Sequence, residues 1–474
     1  MIRNIKHTLL LVVSFIFSFG VFAQKSEVLK YIKQVDSINI RMTLTTLASD
    51  KLEGRGTGNL GGAIAEKYIA AYLDSCGIKP GNNDSYFQHI NNVKSFNIIQ
   101  RKFILNNIDY PNDYKYENLY NQDTILNIDE IVFVVSSGAE SNLKLDLENN
   151  IENNKVIMKL NDTPSGYIDR QNPKTVINIY PDFDPETMTI SERMYFNPPS
   201  NKYKYNRVNI SVSLADKLLK PHRKTLKQLI DEVEKSKTPK ILTLKTSATI
   251  HGNVRYEIMN VNNVIGIIEG AELKNEYVVL SAHHDHVGII EQKIYNGADD
   301  NASGVSSVLE VARLLAKAKK EGNGLRRSVV VLFPAAEELG LVGSTYYTQY
   351  PVFPLNDTKA CVNVDMVGRI DDRHKSTMGN YIYVVNDIKT NKNILENVKQ
   401  ANNDKIIVNT EDLNSLFRRS DHYNFAKHDI PAVLLTSGLH DDYHTPNDDI
   451  ELIDFNAMWK RTRYILSFIW SLAQ

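Results

Sequence analysis

The sequence predicts an α/β fold in which a mostly parallel sheet is flanked by helices and interrupted by an inserted, mainly β domain. Two observations lead to this prediction. In the second half of the chain, short apolar, β-branched runs alternate with amphipathic helical stretches. Before them, the middle of the chain is dense in Asn, Asp, Lys and Tyr, with short β-like runs separated by turn residues.

Four apolar runs predict the buried strands of the sheet: Val264–Ile268, Tyr277–Leu280, Ser328–Phe333 and Ala360–Val364. Between the second and third runs, Gly304–Ala318 places its apolar residues on one helical face. Strands that alternate with helices favour a parallel sheet covered on both faces. Ligands of such sheets gather at the carboxyl ends of the strands.

Two helices are predicted nearer the N-terminus, over Ile40–Leu52 and Gly61–Ser75, with the glycine-rich loop Glu53–Gly58 between them. No Gly-Lys-Ser/Thr follows this loop and no strand precedes it, so it does not fit a phosphate-binding loop. We interpret it as a structural turn.

The length of the chain and its N-terminal segment predict the domain organisation. A chain of 474 residues suggests two to three domains. The apolar run Leu9–Phe22 follows Arg3 and Lys6, which predicts a secretory signal cleaved after Ala23. An uncleaved anchor is the alternative, but the run is shorter than the roughly 20 residues that a span needs. The predicted segments are the signal peptide (1–23), the first part of the main domain (24–109), the inserted β domain (110–246) and the rest of the main domain (247–474).

Composition narrows the range of partners. The formal net charge is −1, which gives no argument for nucleic acid or an anionic membrane. No second segment has membrane length, so we expect an exported, periplasmic or secreted protein without stable membrane insertion after cleavage. Only Cys76 and Cys361 are present, and they form neither a disulfide scaffold nor a nucleophile site.

Five short clusters of histidine and carboxylate residues follow predicted strands or lie in glycine-rich turns. They are Ala282–His286, Gly297–Asn301, Glu337–Glu338, Asp365–Gly368 and Tyr443–Pro446. Read singly, several of them also fit acidic helix caps or solvated side chains. Together they supply the imidazoles and carboxylates that hold zinc with an open coordination position. The pattern therefore indicates a metal-dependent hydrolase.

The first two clusters give candidate ligands. His283 is the preferred imidazole and His286 is less certain, while Asp285, two residues after His283, is placed to hold the ligand imidazole from behind. In the second cluster a carboxylate can bridge two cations, because each of its oxygens can bind one.

The remaining clusters extend the candidate set. Of the adjacent Glu337 and Glu338, one can bind metal while the other accepts a proton from bound water. Asp365 ends an apolar strand, where an unpaired carboxylate would be costly without a cation or a basic partner. Tyr443 is a possible oxyanion donor, and Arg419 offers a guanidinium for a substrate carboxylate or carbonyl. For both of these residues a surface position without a role is the alternative.

In this order the clusters resemble the co-catalytic zinc aminopeptidases of the bacterial leucyl aminopeptidase type, a family that also includes glutamate carboxypeptidases and glutaminyl cyclases. The resemblance covers about 47–89 and 264 to the C-terminus. It implies two zinc ions, although cobalt or manganese also suit such N/O sites. The implied roles are His283 and Asp365 on one zinc, Glu338 and His444 on the other, Asp300 as the bridge, Glu337 as the general base, Tyr443 as the oxyanion donor and Arg419 as a substrate contact.

Two further expectations come from the same resemblance. Asp300 is preferred to Asp299, because the second position of the family's pair is the ligand, and the bond that follows it is often a cis peptide. The inserted domain is similar in placement to a protease-associated module, although its sequence match is weak.

The interpretation is an exported metallo-exopeptidase that acts on peptides, foremost an aminopeptidase. A carboxypeptidase or a one-zinc glutaminyl cyclase of the same fold stays open. A binding protein on a catalytically inactive peptidase fold would be expected to have lost ligands, and all five ligand positions are present.

Overall fold

The computed structural model describes residues 27–474 except 119–122, 137–153, 161–167, 169, 184–194, 197–204, 291, 387–393, 395, 399–400, 402 and 411–413. The predicted signal peptide lies outside the described residues. None of the helices within those residues combines the length and the apolar character needed to cross a bilayer. The chain forms two compact units, one built from the chain up to Val93 together with Met259–Gln474, the other from Lys94–Ile258.

The helices and strands are numbered here in chain order. The α-helices are α1 (Ser37–Leu47), α2 (Leu60–Ser75), α3 (Val212–Leu219), α4 (Leu226–Ser236), α5 (Gly304–Lys320), α6 (Val342–Gln349), α7 (His422–Ala426) and α8 (Phe455–Ala473). The strands up to the end of the second unit are β1 (Lys79–Pro80), β2 (Phe87–Leu105), β3 (Ile108–Asp109), β4 (Tyr114–Asn118), β5 (Asp123–Val135), β6 (Val156–Leu160), β7 (Thr175–Tyr180), β8 (Tyr195–Phe196), β9 (Asn206–Ser211) and β10 (Lys240–Ile268). The later strands are β11 (Leu273–Ser281), β12 (Gly288–Ile290), β13 (Lys293–Tyr295), β14 (Arg327–Phe333), β15 (Thr358–Val364), β16 (Tyr381–Asn386), β17 (Ile407–Asn409) and β18 (Ala432–Thr436).

The sheet of the first unit has the order β17-β16-β18-β15-β11-β14-β10. Its four central strands, β14, β11, β15 and β18, pair in parallel. The residues Val264–Ile268 of β10 join β14 antiparallel, and β16 joins β18 antiparallel. The prediction of a mostly parallel sheet is confirmed, and the reversals lie on either side of the parallel centre.

Both faces of this sheet are buried, which explains why its strands read as continuous apolar runs. Val278 and Leu280 of β11 pack in one core with residues of α1, α2, α5 and α8. Val279, between them, faces the opposite way and shares a second core with Tyr347 of α6 and Phe425 of α7. Alternate residues of one strand therefore bury against different helical layers.

The predicted N-terminal helix ends earlier than expected. Helix α1 begins after Asp36, whose side chain accepts from the backbone N–H of Ile38 and Asn39, and it ends at Leu47 rather than Leu52. A 3₁₀ segment, Asp50–Arg55, follows, in which Gly54 has a φ of 63° that a continuing helix does not allow. The helices predicted over Gly61–Ser75 and Gly304–Ala318 are present as α2 and α5.

The second unit contains the runs that predict its strands, in β5 and β6. Its strands β5, β6, β7 and β9 pair in parallel, and β4 pairs antiparallel with β9. Helices α3 and α4 pack into the same core. The unit is therefore less purely β than the sequence suggested, because α3 and α4, which connect β9 to β10, contribute apolar residues to its core.

Candidate metal centre

The predicted ligand clusters meet because the parallel strands of the first unit end at one edge of the sheet. Strand β11 leads into His283, its neighbour β15 into Asp365, and its other neighbour β14 into Glu338. Asp300 comes from the loop before α5, and His444 comes from the loop between β18 and α8. Residues up to 161 positions apart thus form one buried cluster.

The two carboxylate oxygens of Asp300 face two different groups of side chains. Its Oδ1 lies 3.4 Å from His283 Nε2, which in turn lies 3.4 Å from Asp365 Oδ1. Its Oδ2 lies 2.9 Å from His444 Nε2, which lies 3.0 Å from Glu338 Oε1. Each group is compact enough to surround one cation, with Asp300 shared by both. The Asp300–Asn301 peptide bond is cis, as the resemblance led us to expect.

His286 adds an imidazole to the second group. Its ring is buried, and its Nδ1 lies 2.9 Å from Glu338 Oε1 and 3.7 Å from Asp300 Oδ2. The sequence left the role of His286 uncertain, and only the proximity of its ring to Glu338 shows that it belongs to this cluster. Gly297 permits this packing, because a Cβ there would lie 2.4 Å from the imidazole of His286.

Glu337 and Glu338 point to different sides of the cluster. Glu337 Oε2 lies 4.0 Å from His283 Nε2, whereas Glu338 Oε1 lies 2.9 Å from His286 Nδ1. Asp285 fixes the turn that carries both residues, since its carboxylate accepts from the backbone N–H of Glu337 at 3.0 Å and of Glu338 at 3.4 Å. The expected contact of Asp285 with the His283 imidazole runs instead through its main chain, because His283 Nδ1 lies 3.2 Å from the carbonyl oxygen and 3.8 Å from the carboxylate.

A buried chain of hydrogen bonds holds Asp365. Ser420 Oγ donates to Asp365 Oδ2 at 2.7 Å and accepts from Asn363 Nδ2 at 2.7 Å, while Ser281 Oγ donates to Asn363 Oδ1 at 2.8 Å. Our sequence interpretation missed these three residues. A signal was present, because Ser281 and Asn363 are polar positions near the ends of otherwise apolar strands.

A pocket opens beside the cluster. Tyr443 and Arg419 border it, and Arg419 Nη2 donates to Tyr443 Oη at 3.4 Å. The ring of Tyr443 stacks on the imidazole of His444 with centroids 3.8 Å apart. The rest of the wall combines cluster residues with mainly apolar side chains, namely His283, Asp300, Glu337, Asp365, Met366, Leu416, Ser420, Leu434, Thr436 and Leu439.

The charges in the cluster stabilise one another. Burial alone would lower the pKa of His444, but hydrogen bonds to Asp300 and Glu338 raise it to about 9. Burial and the charge of Asp300 work to raise the pKa of Glu338, yet hydrogen bonds from His286 and His444 bring it to about 2. Burial raises the pKa of Glu337 well above its usual range. Although burial works to raise it, the pKa of Asp300 is likewise held well below its usual range by hydrogen bonds from His283 and His444, so the site favours charged carboxylates facing imidazoles at Asp300 and Glu338.

Comparisons with known proteins match part of the chain to a peptidase family. Residues 263–469 match the family model described as peptidase family M28. A stretch of 114 residues is 37% identical to rat aminopeptidase NAALADL1, covering 24% of this chain but only 14% of that relative. Two solved structures share the fold: an aminopeptidase from Aneurinibacillus sp. strain AM-1 (TM-score 0.63, 19% identity, 94% of this chain and 95% of that chain) and a zinc aminopeptidase from Bacillus subtilis (TM-score 0.58, 18% identity, 92% and 94%). Residues 263–469 thus form a peptidase family M28 domain, and the chain shares its fold with the two solved aminopeptidases.

Proposed function

We propose that this protein is an exported exopeptidase with two zinc ions, and that it acts as an aminopeptidase on peptides with a free N-terminus. The observation that carries the proposal is the bidentate position of Asp300, whose two oxygens each face a separate set of imidazole and carboxylate donors. The names of the relatives support the aminopeptidase assignment.

The residues fit zinc by their chemistry and by their unsatisfied atoms. Imidazole nitrogens and carboxylate oxygens are the donors that catalytic zinc sites use. Asp365 Oδ1 is buried and has no hydrogen-bond partner among the residues that the structure describes. A buried carboxylate oxygen without a donor is costly unless a cation faces it. In our proposal His283 and Asp365 hold one zinc, Glu338 and His444 hold the other, and Asp300 lies between them.

When bound, the zinc ions would supply Lewis-acid chemistry that polarises the scissile carbonyl and acidifies a shared water. Glu337 accepts the proton of that water and passes it to the leaving amine. Its environment suits both steps, because burial raises the pKa of Glu337 and so strengthens it as a base. Asp285 keeps this carboxylate in place through the Glu337 backbone N–H.

Two pocket residues act on the substrate. Burial raises the pKa of Tyr443, so its phenol keeps the proton with which it stabilises the developing oxyanion. Arg419, whose guanidinium reaches Tyr443 Oη, binds a carbonyl or carboxylate group of the substrate.

Replacing the two adjacent glutamates tests this division of roles. Glu337→Gln should keep its zinc and lose nearly all hydrolysis of aminoacyl-anilides, since a general base contributes about 10²–10⁴ in rate. Glu338→Gln, the matched control, should lose zinc as well as activity. Activity retained by Glu337→Gln would remove Glu337 as the base.

Metal content and substrate choice separate the alternatives. The purified protein should contain two equivalents of zinc, whereas one equivalent would favour the cyclase interpretation. Dipeptides with a blocked N-terminus should resist cleavage, and those with a blocked C-terminus should be hydrolysed. The reverse pattern would identify a carboxypeptidase.

Export and domain organisation complete the proposal. N-terminal sequencing of the mature protein should begin at Gln24, as cleavage after Ala23 predicts. We further propose that residues 110–246, which lie within the second compact unit, form an inserted protease-associated-like domain.

A further inference from the structure

The glycine-rich loop Glu53–Gly58, which we interpreted from the sequence as a structural turn, lies against the loops that carry the proposed ligands. Its backbone pairs with the first of them: Gly56 forms a β-bridge with His286, and the His286 N–H donates to the Arg55 carbonyl at 3.2 Å. Gly54 allows a close approach to the β12–β13 hairpin, because a Cβ there would lie 2.3 Å from the carbonyl oxygen of Tyr295. The loop is therefore an integral part of the packing beneath the cluster.

The guanidinium of Arg55 donates hydrogen bonds to backbone carbonyl groups. The side chain is buried, with 1% of its surface exposed, and all of its nitrogens donate. The acceptors are the carbonyl oxygens of His284 (3.0 Å), Leu47 (2.7 Å), Asn296 (2.7 Å), Gly297 (2.9 Å) and Asp300 (3.3 Å). The planar guanidinium of an arginine has five N–H groups and can join two loops in this way. The ammonium group of a lysine has only three N–H groups and cannot replace all of these hydrogen bonds.

Thr57 extends the same contact to the third ligand segment. Its Oγ1 donates to Asp285 Oδ2 at 2.9 Å. That carboxylate also accepts from the backbone N–H groups of Glu337 and Glu338. The loop thus contacts the segment 283–286 and the segment 297–300 directly, and the glutamate turn through one carboxylate.

We propose that the loop Glu53–Gly58 is a brace that sets the spacing of the metal-ligand segments, with Arg55 and Thr57 as positioning residues of the metal site. His283 and Asp300 lie 17 positions apart in sequence and on separate segments, so no single helix or strand fixes their separation. The buried guanidinium of Arg55 supplies this constraint, because it binds the main chain of both the 283–286 and the 297–300 segments. It does so without using any atom that would bind the metal. The inference rests on the proposed two-zinc site.

Thr57 offers the sharper test, because valine and serine are close in size and differ in the hydroxyl. Thr57→Val removes the hydrogen bond to Asp285, whereas Thr57→Ser keeps it. Substitution of such outer residues typically lowers metal affinity about 10- to 100-fold. Zinc-depleted protein is titrated with zinc in competition with a chromophoric chelator, and thermal unfolding of the depleted protein is recorded alongside. We expect Thr57→Val to bind zinc about 10- to 100-fold more weakly and Thr57→Ser to resemble the wild type.

A matched control separates positioning from general stability. Thr462 is also buried, and its hydroxyl forms hydrogen bonds with Met458 O in its own helix, α8, and with Ser307 Oγ in α5 rather than with the loop. Thr462→Val should lower the unfolding temperature of the depleted protein and leave zinc affinity unchanged. If Thr57→Val behaves like Thr462→Val, Thr57 is merely structural and the brace is refuted.

Arg55→Lys provides an independent second variant. A lysine keeps the positive charge but reaches fewer of the five carbonyls, so we expect weaker zinc binding with a KM close to that of the wild type in zinc-saturated protein. Zinc affinity equal to that of the wild type in a folded Arg55→Lys protein would contradict the proposal. A wild-type protein that binds no zinc at all would instead overturn the proposed function.

Discussion

Removing the hydroxyl of Ser420 tests how the protein orients Asp365 towards a cation. Ser420 Oγ donates to Asp365 Oδ2 at 2.7 Å, which leaves Oδ1 facing His283. A hydrogen bond to a charged group is worth about 1.5–3 kcal/mol. Because about 1.4 kcal/mol corresponds to a tenfold change in binding, Ser420→Ala should weaken the affinity of the His283 and Asp365 site about 10- to 100-fold.

The same substitution should also cost stability. Asn363 is fully buried, and its Nδ2 donates to Ser420 Oγ, so Ser420→Ala leaves this donor without that acceptor. An unsatisfied buried donor costs about 1–3 kcal/mol. Urea unfolding of the zinc-depleted variant should therefore show a lower free energy of unfolding. Titration with zinc then measures the affinity of each site separately from folding.

Ser306→Ala is the matched control for this experiment. Ser306 is equally buried, and its hydroxyl donates to the carbonyl of Ala302, two residues before the start of its helix, α5. We expect it to change the stability slightly and to leave zinc binding unchanged. If Ser420→Ala loses stability but binds both zinc ions as tightly as the wild type, the hydroxyl does not position Asp365.

Three further predictions concern pH, substrate binding and thiol reactivity. In protein depleted of metal, the pKa of His444 is raised from 6.5 to about 9. Protonation of His444 therefore stabilises the fold fully below pH 6.5, and this contribution is lost as the pH rises through about 9. Urea unfolding across this pH range should show the decline in stability, and a His444→Ala variant should not show it. Arg419→Ala should raise KM for peptides about tenfold with a smaller effect on kcat, because it removes one charged hydrogen bond beside Tyr443; an unchanged KM would exclude Arg419 as a substrate contact. Burial raises the pKa of the Cys361 thiol, so a disulfide reagent should modify only the less buried Cys76 in the folded protein and both thiols after unfolding.

The sequence was most informative where chemistry and local structure coincide. His283, Glu338 and Asp365 each follow an apolar strand within five residues, and parallel strands necessarily bring such residues to one edge. The parallel centre of the sheet followed from the same runs. His286 and the order of contacts around Glu338 were not predictable, because ring orientation depends on packing against Gly297.

The contacts of Arg55 could not be predicted from the sequence for a different reason. Its partner His284 lies 229 residues away and Asp300 lies 245 residues away, and both are contacted through their carbonyl oxygens. Every residue has a carbonyl, so no residue type in the sequence marks the partner of such an arginine. The glycines beside Arg55 were visible, but a turn explains them equally well until their neighbours are known.

The two aspartates of the cluster are held in different ways, and the difference matches the roles proposed for them. Asp300 is fixed through its main chain, since its N–H donates to Asp448 Oδ2 at 3.0 Å and its carbonyl accepts from Arg55. Both of its carboxylate oxygens are thereby left to face His283 on one side and His444 on the other. Asp365 also donates its backbone N–H, to Leu435 O at 3.0 Å, but its side chain is held as well, which uses one carboxylate oxygen and leaves the other. In the proposed site a bridging ligand needs two oxygens and a terminal ligand needs one, so this pattern of hydrogen bonds supports Asp300 as the bridge and Asp365 as a terminal ligand.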